Sequence, residues 1–308
     1  MFVGHGLLAF ALAALAARRI GWSRERALTV GLLAGAFGVL PDVDMLYAVV
    51  GFASGADSAT GLARDFWAAS TVVHRAMTHS LVAGSVAAAG FAAWRSERTR
   101  VRLAGGSLLG ALVVVAALAS GALGAFVIAA FVLGGLALVA AARRADLSPA
   151  AVLGAALVGL LSHPFGDLFT GEPPRLLYPL DATVLVHRVT LAPDPTLHLL
   201  GAATVELLAL WAGAVVFLRL RDRRVRDVVH PWSAFGLAYA GAVLALPAPT
   251  LDLSYPFVFG VIGVGALGSA PHVIRRDRPE TAVAAAVTAL ATITLGVLAY
   301  TAGYLVAG

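Results

Sequence analysis

Seven side chains of two types recur in short motifs along this chain. They are His5; Asp42 and Asp44 in Pro41-Asp42-Val43-Asp44; His74 and His79 in His74-Arg75-Ala76-Met77-Thr78-His79-Ser80; and His163 and Asp167 in Ser162-His163-Pro164-Phe165-Gly166-Asp167. There is no cysteine, so a metal site here draws on imidazole and carboxylate alone. That donor set suits a divalent ion, Zn²⁺ first and Mn²⁺ or Fe²⁺ as alternatives. Seven donors exceed the needs of one tetrahedral ion, so one or two ions are expected. Paired metal sites commonly hydrolyse phosphoesters. In that chemistry Asp42, Asp44 or Asp167 serves as ligand or base, and Arg75 clamps a phosphate oxygen.

Each motif also has a plainer reading. His5 near a helix end can be an interfacial residue. Pro41-Asp42 can be a helix stop with a turn, although the second carboxylate at Asp44 argues against it. His163 and Asp167 stand at i, i+4, which puts both on one helical face. Pro164 between them removes a helical hydrogen bond. His74 and His79 stand at i, i+5, about 140° apart on an ideal helix. They share an ion only if His74 precedes the helix, and otherwise serve different ions. Arg75 can pair with a carboxylate instead of a phosphate. Thr78 and Ser80 can orient ligands or bond back to helix carbonyls.

The elements that must carry these motifs are apolar helices. Of the 308 residues, 60% are hydrophobic and 13% charged, against about 45–50% and 25% in globular domains. Mean hydropathy is +0.88. A soluble enzyme, a DNA-binding domain and a disordered chain are set aside on these values. The expected fold is all-α, a polytopic transmembrane bundle. Ten charge-poor runs mark about ten spans: residues 1–17, 27–50, 76–94, 103–120, 122–142, 147–165, 197–218, 231–251, 253–274 and 281–306. Runs 1–17 and 76–94 are short enough to be half-buried segments instead of full crossings. A tight turn near Ser120, Gly121 and Gly124 divides the uncharged stretch from Leu103 to Ala142.

All 22 basic residues are arginine, and a pI of about 10.2 reflects loop charge, not nucleic-acid binding. With the first loop inside, 18 of the 22 arginines fall on the inner side, leaving Arg64, Arg75, Arg175 and Arg188 outside. This is the positive-inside pattern. It places the N-terminus outside, and the first apolar run reads as an uncleaved anchor because its arginines follow it. All four His/Asp motifs then fall at the outer face, although none of them entered the charge argument. Buried ionisable groups in a membrane are costly and usually functional, so the coincidence points to one site.

The expected organisation is a metal-site domain over residues 1–196, with a Pro-rich outer cap at 166–196, and accessory helices over 197–308. In the cap, His187-Arg188 can contact a headgroup or stand as a solvated pair. His198 can support the site or be interfacial. Glu206 at mid-span can be functional or bonded to a neighbouring helix. His230 and His272 fall on the inner side and are excluded from the site.

At these motifs the chain resembles the inner-membrane-associated, metal-dependent hydrolases sometimes labelled LexA-binding, the YdjM-like family. The resemblance rests on His5, Pro41-Asp42-Val43-Asp44, His74-Arg75 through Thr78-His79-Ser80, and Ser162 through Thr170. It continues in Leu176-Leu177-Tyr178-Pro179-Leu180, covering about residues 1–180. The order His, Pro-Asp, His-x₄-His, His-x₃-Asp is also distantly similar to zinc-dependent phospholipase C and the S1/P1-type nucleases. Those proteins use an N-terminal Trp as a ligand, which this chain lacks. The resemblance implies hydrolysis of a phosphoester, with a membrane lipid or lipid-linked molecule as substrate and no nucleic acid as partner. The competing classes are a metal or small-anion transporter, which the span count and Glu206 suit, and a regulatory binding protein, for which no soluble domain is apparent.

Overall fold

The computed structural model describes residues 3–45, 58, 61, 62, 65, 77–274 and 279–307. The described residues are helical, with no strand among them. They divide into two units.

The larger unit holds residues 5–168 and 172–188. Helix α1 is Gly4–Arg19 and α2 is Arg24–Val39, the latter capped by the Ser23 side chain on the Arg26 N–H. Pro41 has no N–H to continue the α ladder, and the chain tightens into a 3₁₀ turn over residues 40–45. A second 3₁₀ turn, Met77–His79, leads into α3, Leu81–Arg95. Ser80 caps that helix, accepting the Val82 and Ala83 N–H groups. Helix α4, Thr99–Arg144, breaks at Gly121, whose φ of 69° and ψ of −163° lie outside the helical region.

The break turns the chain back on itself. A Cβ on Gly105, before the break, would lie 2.7 Å from the Gly90 carbonyl. Phe131, beyond the break, packs on Phe91 with ring centroids 6.1 Å apart. A straight helix would put residues 105 and 131 about 39 Å apart. Contact of both with adjacent residues of α3 therefore requires two antiparallel arms. Helix α5, Pro149–Gly166, follows with Ser148 as its cap, and ends in a 3₁₀ turn over Asp167–Phe169.

These helices pack closely because small residues face one another, as membrane bundles require. A Cβ on Gly159 of α5 would meet the Ala34 carbonyl at 2.5 Å and the Gly38 N at 2.7 Å. One on Gly38 would meet the His5 carbonyl at 2.9 Å. Gly38 therefore sits where α1, α2 and α5 converge. Phe37, Phe91 and Phe131 fill the centre of the unit.

The smaller unit holds residues 1–4, 169–171 and 189–308. It contains α6 (Pro195–Leu220), a 3₁₀ helix over Pro231–Leu244, α7 (Tyr255–Ile274) and α8 (Pro279–Ala307). Tyr239, Phe257 and Tyr300 form its aromatic core, with the Tyr239 hydroxyl donating to the Phe257 carbonyl.

Five helical stretches are long and apolar enough to cross a membrane: Arg24–Met45, Thr99–Arg144, Pro149–Phe169, Pro195–Leu220 and Thr281–Val306. The expectation of ten spans is not supported. Helix α1 has 16 residues and α3 has 15, about 22–24 Å against a hydrocarbon core of about 30 Å. Residues 231–244 are 3₁₀. Apolar composition marks burial, and it does so equally for short helices inside a bundle and for full crossings. Without ten crossings, counting alternate loops no longer fixes the side of the N-terminus.

Candidate metal centre

Six of the seven proposed donors gather at one end of the larger unit. His5 comes from the first turn of α1, Asp42 and Asp44 from the 3₁₀ turn after α2, and His79 from the turn before α3. His163 comes from the last turn of α5, and Asp167 from its C-cap, where its N–H bonds the Pro164 carbonyl. The His5, His79, His163, Asp44 and Asp167 side chains are buried, and Asp42 is the one partly open to its surroundings, at 23%. His74 and Arg75 lie outside the described residues.

Four of these side chains aim at a common point. His79 Nε2 and His163 Nε2 are 2.9 Å apart. Asp167 Oδ2 lies 3.1 Å from the first and 3.6 Å from the second. Asp42 Oδ1 lies 3.8 and 3.4 Å from the same two atoms. A tetrahedral ion with bonds of about 2.0–2.1 Å has ligand atoms about 3.3 Å apart, and these five distances bracket that value. His5 stands beside them, its ring stacked on His163 at 3.8 Å and its Nε2 3.2 Å from Asp167 Oδ1. Metal-compatible groupings are therefore His5, His163 and Asp167, and Asp42, His79 and His163.

The far side of each imidazole fixes its tautomer. His163 Nδ1 is 2.7 Å from the Gly38 carbonyl, which can only accept, so Nδ1 carries the hydrogen. The single Thr78 hydroxyl hydrogen goes to Asp44 Oδ2 at 3.0 Å, so Thr78 Oγ1 accepts from His79 Nδ1 at 2.9 Å. The two Nε2 atoms then face each other and two carboxylate oxygens. Burial pushes the His79 imidazole below its ordinary range, with the charge of His163 adding to this and Asp167 and Asp44 opposing it. His79 is thus held neutral. Two imidazole nitrogens and two carboxylate oxygens converging at these distances are a donor grouping compatible with a cation.

Asp44 is not among the inward-facing atoms. It lies behind His79, 3.5 Å from Nδ1, where it orients the ring through Thr78. One supporting group escaped the reading of the motifs, and a second was named there without a role. The first is the Gly38 carbonyl, whose only trace in sequence is the run Gly31, Gly35, Gly38 along one face of α2. The other is the segment after the last motif. Ser80 Oγ donates to the Tyr178 carbonyl at 2.6 Å, the Leu81 N–H to the Leu176 carbonyl at 2.8 Å, and Ser120 and Tyr178 share a hydroxyl bond of 2.6 Å.

The remaining polar candidates are used elsewhere. In the smaller unit, His198 Nδ1 accepts from the Leu191 N–H while Nε2 donates to the Phe169 carbonyl. Glu206 Oε1 accepts the Gly4 N–H at 2.8 Å. His230 and His272 pack edge to face at 5.5 Å. His187 and Arg188 are exposed.

The arginines gather at the opposite ends of the same helices. α1 ends at Arg18 and Arg19, α2 begins at Arg24, α3 ends at Arg95, and α4 begins and ends among arginines. Arg143 donates to the Trp94 carbonyl, and Arg95 lies 2.7 Å from Glu97 and 4.0 Å from Asp146, which ties these ends together.

Neither a curated protein nor a solved structure matches the chain, and the similarity to phospholipase C and S1/P1 nucleases is not shown. A family model does match, over residues 1–246, beyond the 180 residues that the motifs span. With all six gathered donors inside the matched region, and helices apolar enough for a bilayer, the chain is a membrane protein that belongs to the YdjM inner membrane protein family.

Proposed function

We propose that the His/Asp cluster is a divalent-metal centre and that the protein is a membrane-bound, metal-dependent hydrolase. The observation that carries this reading is the pair of tautomer-fixed Nε2 atoms 2.9 Å apart, closed in by Asp42 and Asp167. His79, His163, Asp42 and Asp167 hold the principal ion, with zinc the best match and manganese or iron the alternatives. His163 spends Nδ1 on Gly38 and so serves one ion only. A second ion would rest on His5 Nε2 and Asp167 Oδ1. A divalent ion in such a site supplies Lewis acidity and makes water a nucleophile at neutral pH.

Asp42, the one partly open ligand, marks the side from which substrate arrives. Asp44 and Thr78 hold the His79 ring, and Gly38 holds that of His163. Arg75, four residues before His79 in sequence, is the phosphate clamp in this proposal. The phosphoester class is supported by the motif order, and a lipid or lipid-linked substrate by the site's position at the helix ends of a membrane bundle. Because arginines favour the cytoplasmic side, their location at the far helix ends supports an outward-facing site and an N-terminus outside. A transporter reading requires polar groups along the bilayer midplane, whereas these lie at one end.

The test is metal analysis of the purified protein, beside the His163→Ala and Asp167→Ala variants, with release of phosphate or headgroup from lipid phosphoesters as the activity assay. Near-stoichiometric transition metal that both variants lose supports the centre. Folded wild-type protein without it, even after loading with zinc, sinks the proposal.

A further inference from the structure

The cap segment carries a surface that the metal cluster does not use. Residues 174–178 are fastened to the bundle: Pro174, Leu176 and Tyr178 are buried, and Ser80, Leu81 and Ser120 bond them at the cluster end of α3 and at the turn of α4. From Leu180 the character reverses. Leu180, Val184 and Val186 are 60%, 57% and 71% exposed. They are followed at once by the exposed pair His187-Arg188, while Asp181 lies at the other end of the apolar stretch and Arg175 adds a cation before it.

An irregular loop in water is normally polar, and a contiguous exposed apolar patch marks an interaction surface. The height of the loop identifies the partner. Pro149–Phe169, 21 residues long, spans about 31 Å, so its cluster end reaches the border between acyl chains and headgroups. The loop starts from the same end of the unit. Aliphatic side chains beside a basic pair are the pattern of an element seated in that border, with the apolar part in the acyl region and cations at lipid phosphates.

We propose that residues 180–188 form a membrane-seated finger. Leu180, Val184 and Val186 enter the leaflet at the cluster end, and Arg188, with His187 beside it, binds the phosphate of an anionic phospholipid. The finger stands independently of what the metal centre does. A guanidinium with two parallel donors suits a phosphodiester. The same contact would gather phospholipid headgroups next to the cluster.

The chain has no cysteine, so one introduced thiol carries a unique spin label. Labelled Val186→Cys, with Val184→Cys as a second position, goes into nanodiscs that mix phosphatidylglycerol and phosphatidylcholine. Collisions with oxygen and with a water-soluble nickel chelate are compared with two references: exposed apolar Leu133→Cys on α4 and exposed Arg100→Cys at the arginine end. The finger predicts oxygen-dominated collisions at 184 and 186, as at 133. Nickel access equal to that at 100 overturns it. So does dipolar broadening that disappears on dilution with unlabelled protein, since the patch would then join two copies. Arg188→Gln raises the phosphatidylglycerol fraction needed for half-maximal immersion about fivefold, the worth of one arginine at an anionic surface. An unchanged fraction removes the headgroup contact and with it the proposal as stated.

Discussion

Thr78→Val removes one hydroxyl and leaves the shape of the side chain nearly intact. In the wild type that hydroxyl donates to Asp44 Oδ2 at 3.0 Å and accepts from His79 Nδ1 at 2.9 Å. With valine there, the Nδ1 hydrogen has Asp44 Oδ2 as its next partner, 3.5 Å away. Reaching an ordinary hydrogen-bond length requires the ring to move by about 0.6 Å. Metal–ligand distances tolerate roughly 0.2 Å, so this movement carries Nε2 off the centre. The expected loss is about 10–100-fold in metal affinity, or about 1.4–2.7 kcal/mol. The assay is competition for zinc between the purified protein and a chromophoric chelator. Ser80→Ala is the control. Ser80 is equally buried and hydrogen-bonded, but it serves the N-terminus of α3 and the Tyr178 carbonyl, so its loss should lower the thermal midpoint and leave zinc affinity unchanged. Zinc binding by Thr78→Val at wild-type strength, or an equal loss in Ser80→Ala, would refute the assignment of Thr78 to His79.

Four further outcomes follow from the same geometry. Asp167→Asn abolishes zinc retention through dialysis, whereas Asp42→Asn weakens it less, because Asp167 faces His5, His79 and His163 and Asp42 only the last two; metal content after dialysis separates them. Gly38→Ala drives a methyl against the His5 carbonyl and the Ala9 side chain, each 2.9 Å away. It should cost about 1–3 kcal/mol in denaturant unfolding and also lower zinc affinity. Gly121→Ala meets no atom within 4 Å but keeps a positive φ; the strain costs about 1–3 kcal/mol and leaves zinc affinity alone. In the metal-free protein the part of the stability that depends on His79 should decline as pH falls below about 6.5. His79 is pushed down in the folded state, so the unfolded chain binds that proton first and the stability present above 6.5 declines with acidification. A His79→Gln variant whose thermal midpoint falls on acidification as steeply as that of the wild type contradicts this.

The gathering of the His and Asp side chains was more legible in the sequence than the number of spans, and the reason is physical. An ionisable group in an apolar chain is conspicuous, and the i, i+4 spacing of His163 and Asp167 survives folding as a shared face with Nε2 and Oδ2 3.6 Å apart. The turn near Gly121 was also legible, because an uncharged stretch too long for one crossing must fold back. Span number was not, since apolar composition does not separate a 16-residue buried helix from a crossing. Nor does composition reveal that residues 231–244 adopt a 3₁₀ form.

The division of labour between Asp42 and Asp44 shows where spacing alone stops. In a 3₁₀ turn each residue advances about 120°, so residues two apart point about 240° apart. That angle excludes a shared direction but does not say which carboxylate faces the centre. The answer depends on His79, whose ring lies between them with Nε2 towards Asp42 and Nδ1 towards Asp44. The ring's position is set in turn by Thr78. The same holds for His163, whose useful nitrogen is decided by a glycine carbonyl 125 residues away in sequence. That carbonyl is within reach only because Gly38 and Gly159 lack side chains where α2 and α5 cross. Donor identity is thus written in the motifs. Donor direction, which separates a ligand from the group that steers it, arises from helix packing that no single motif encodes.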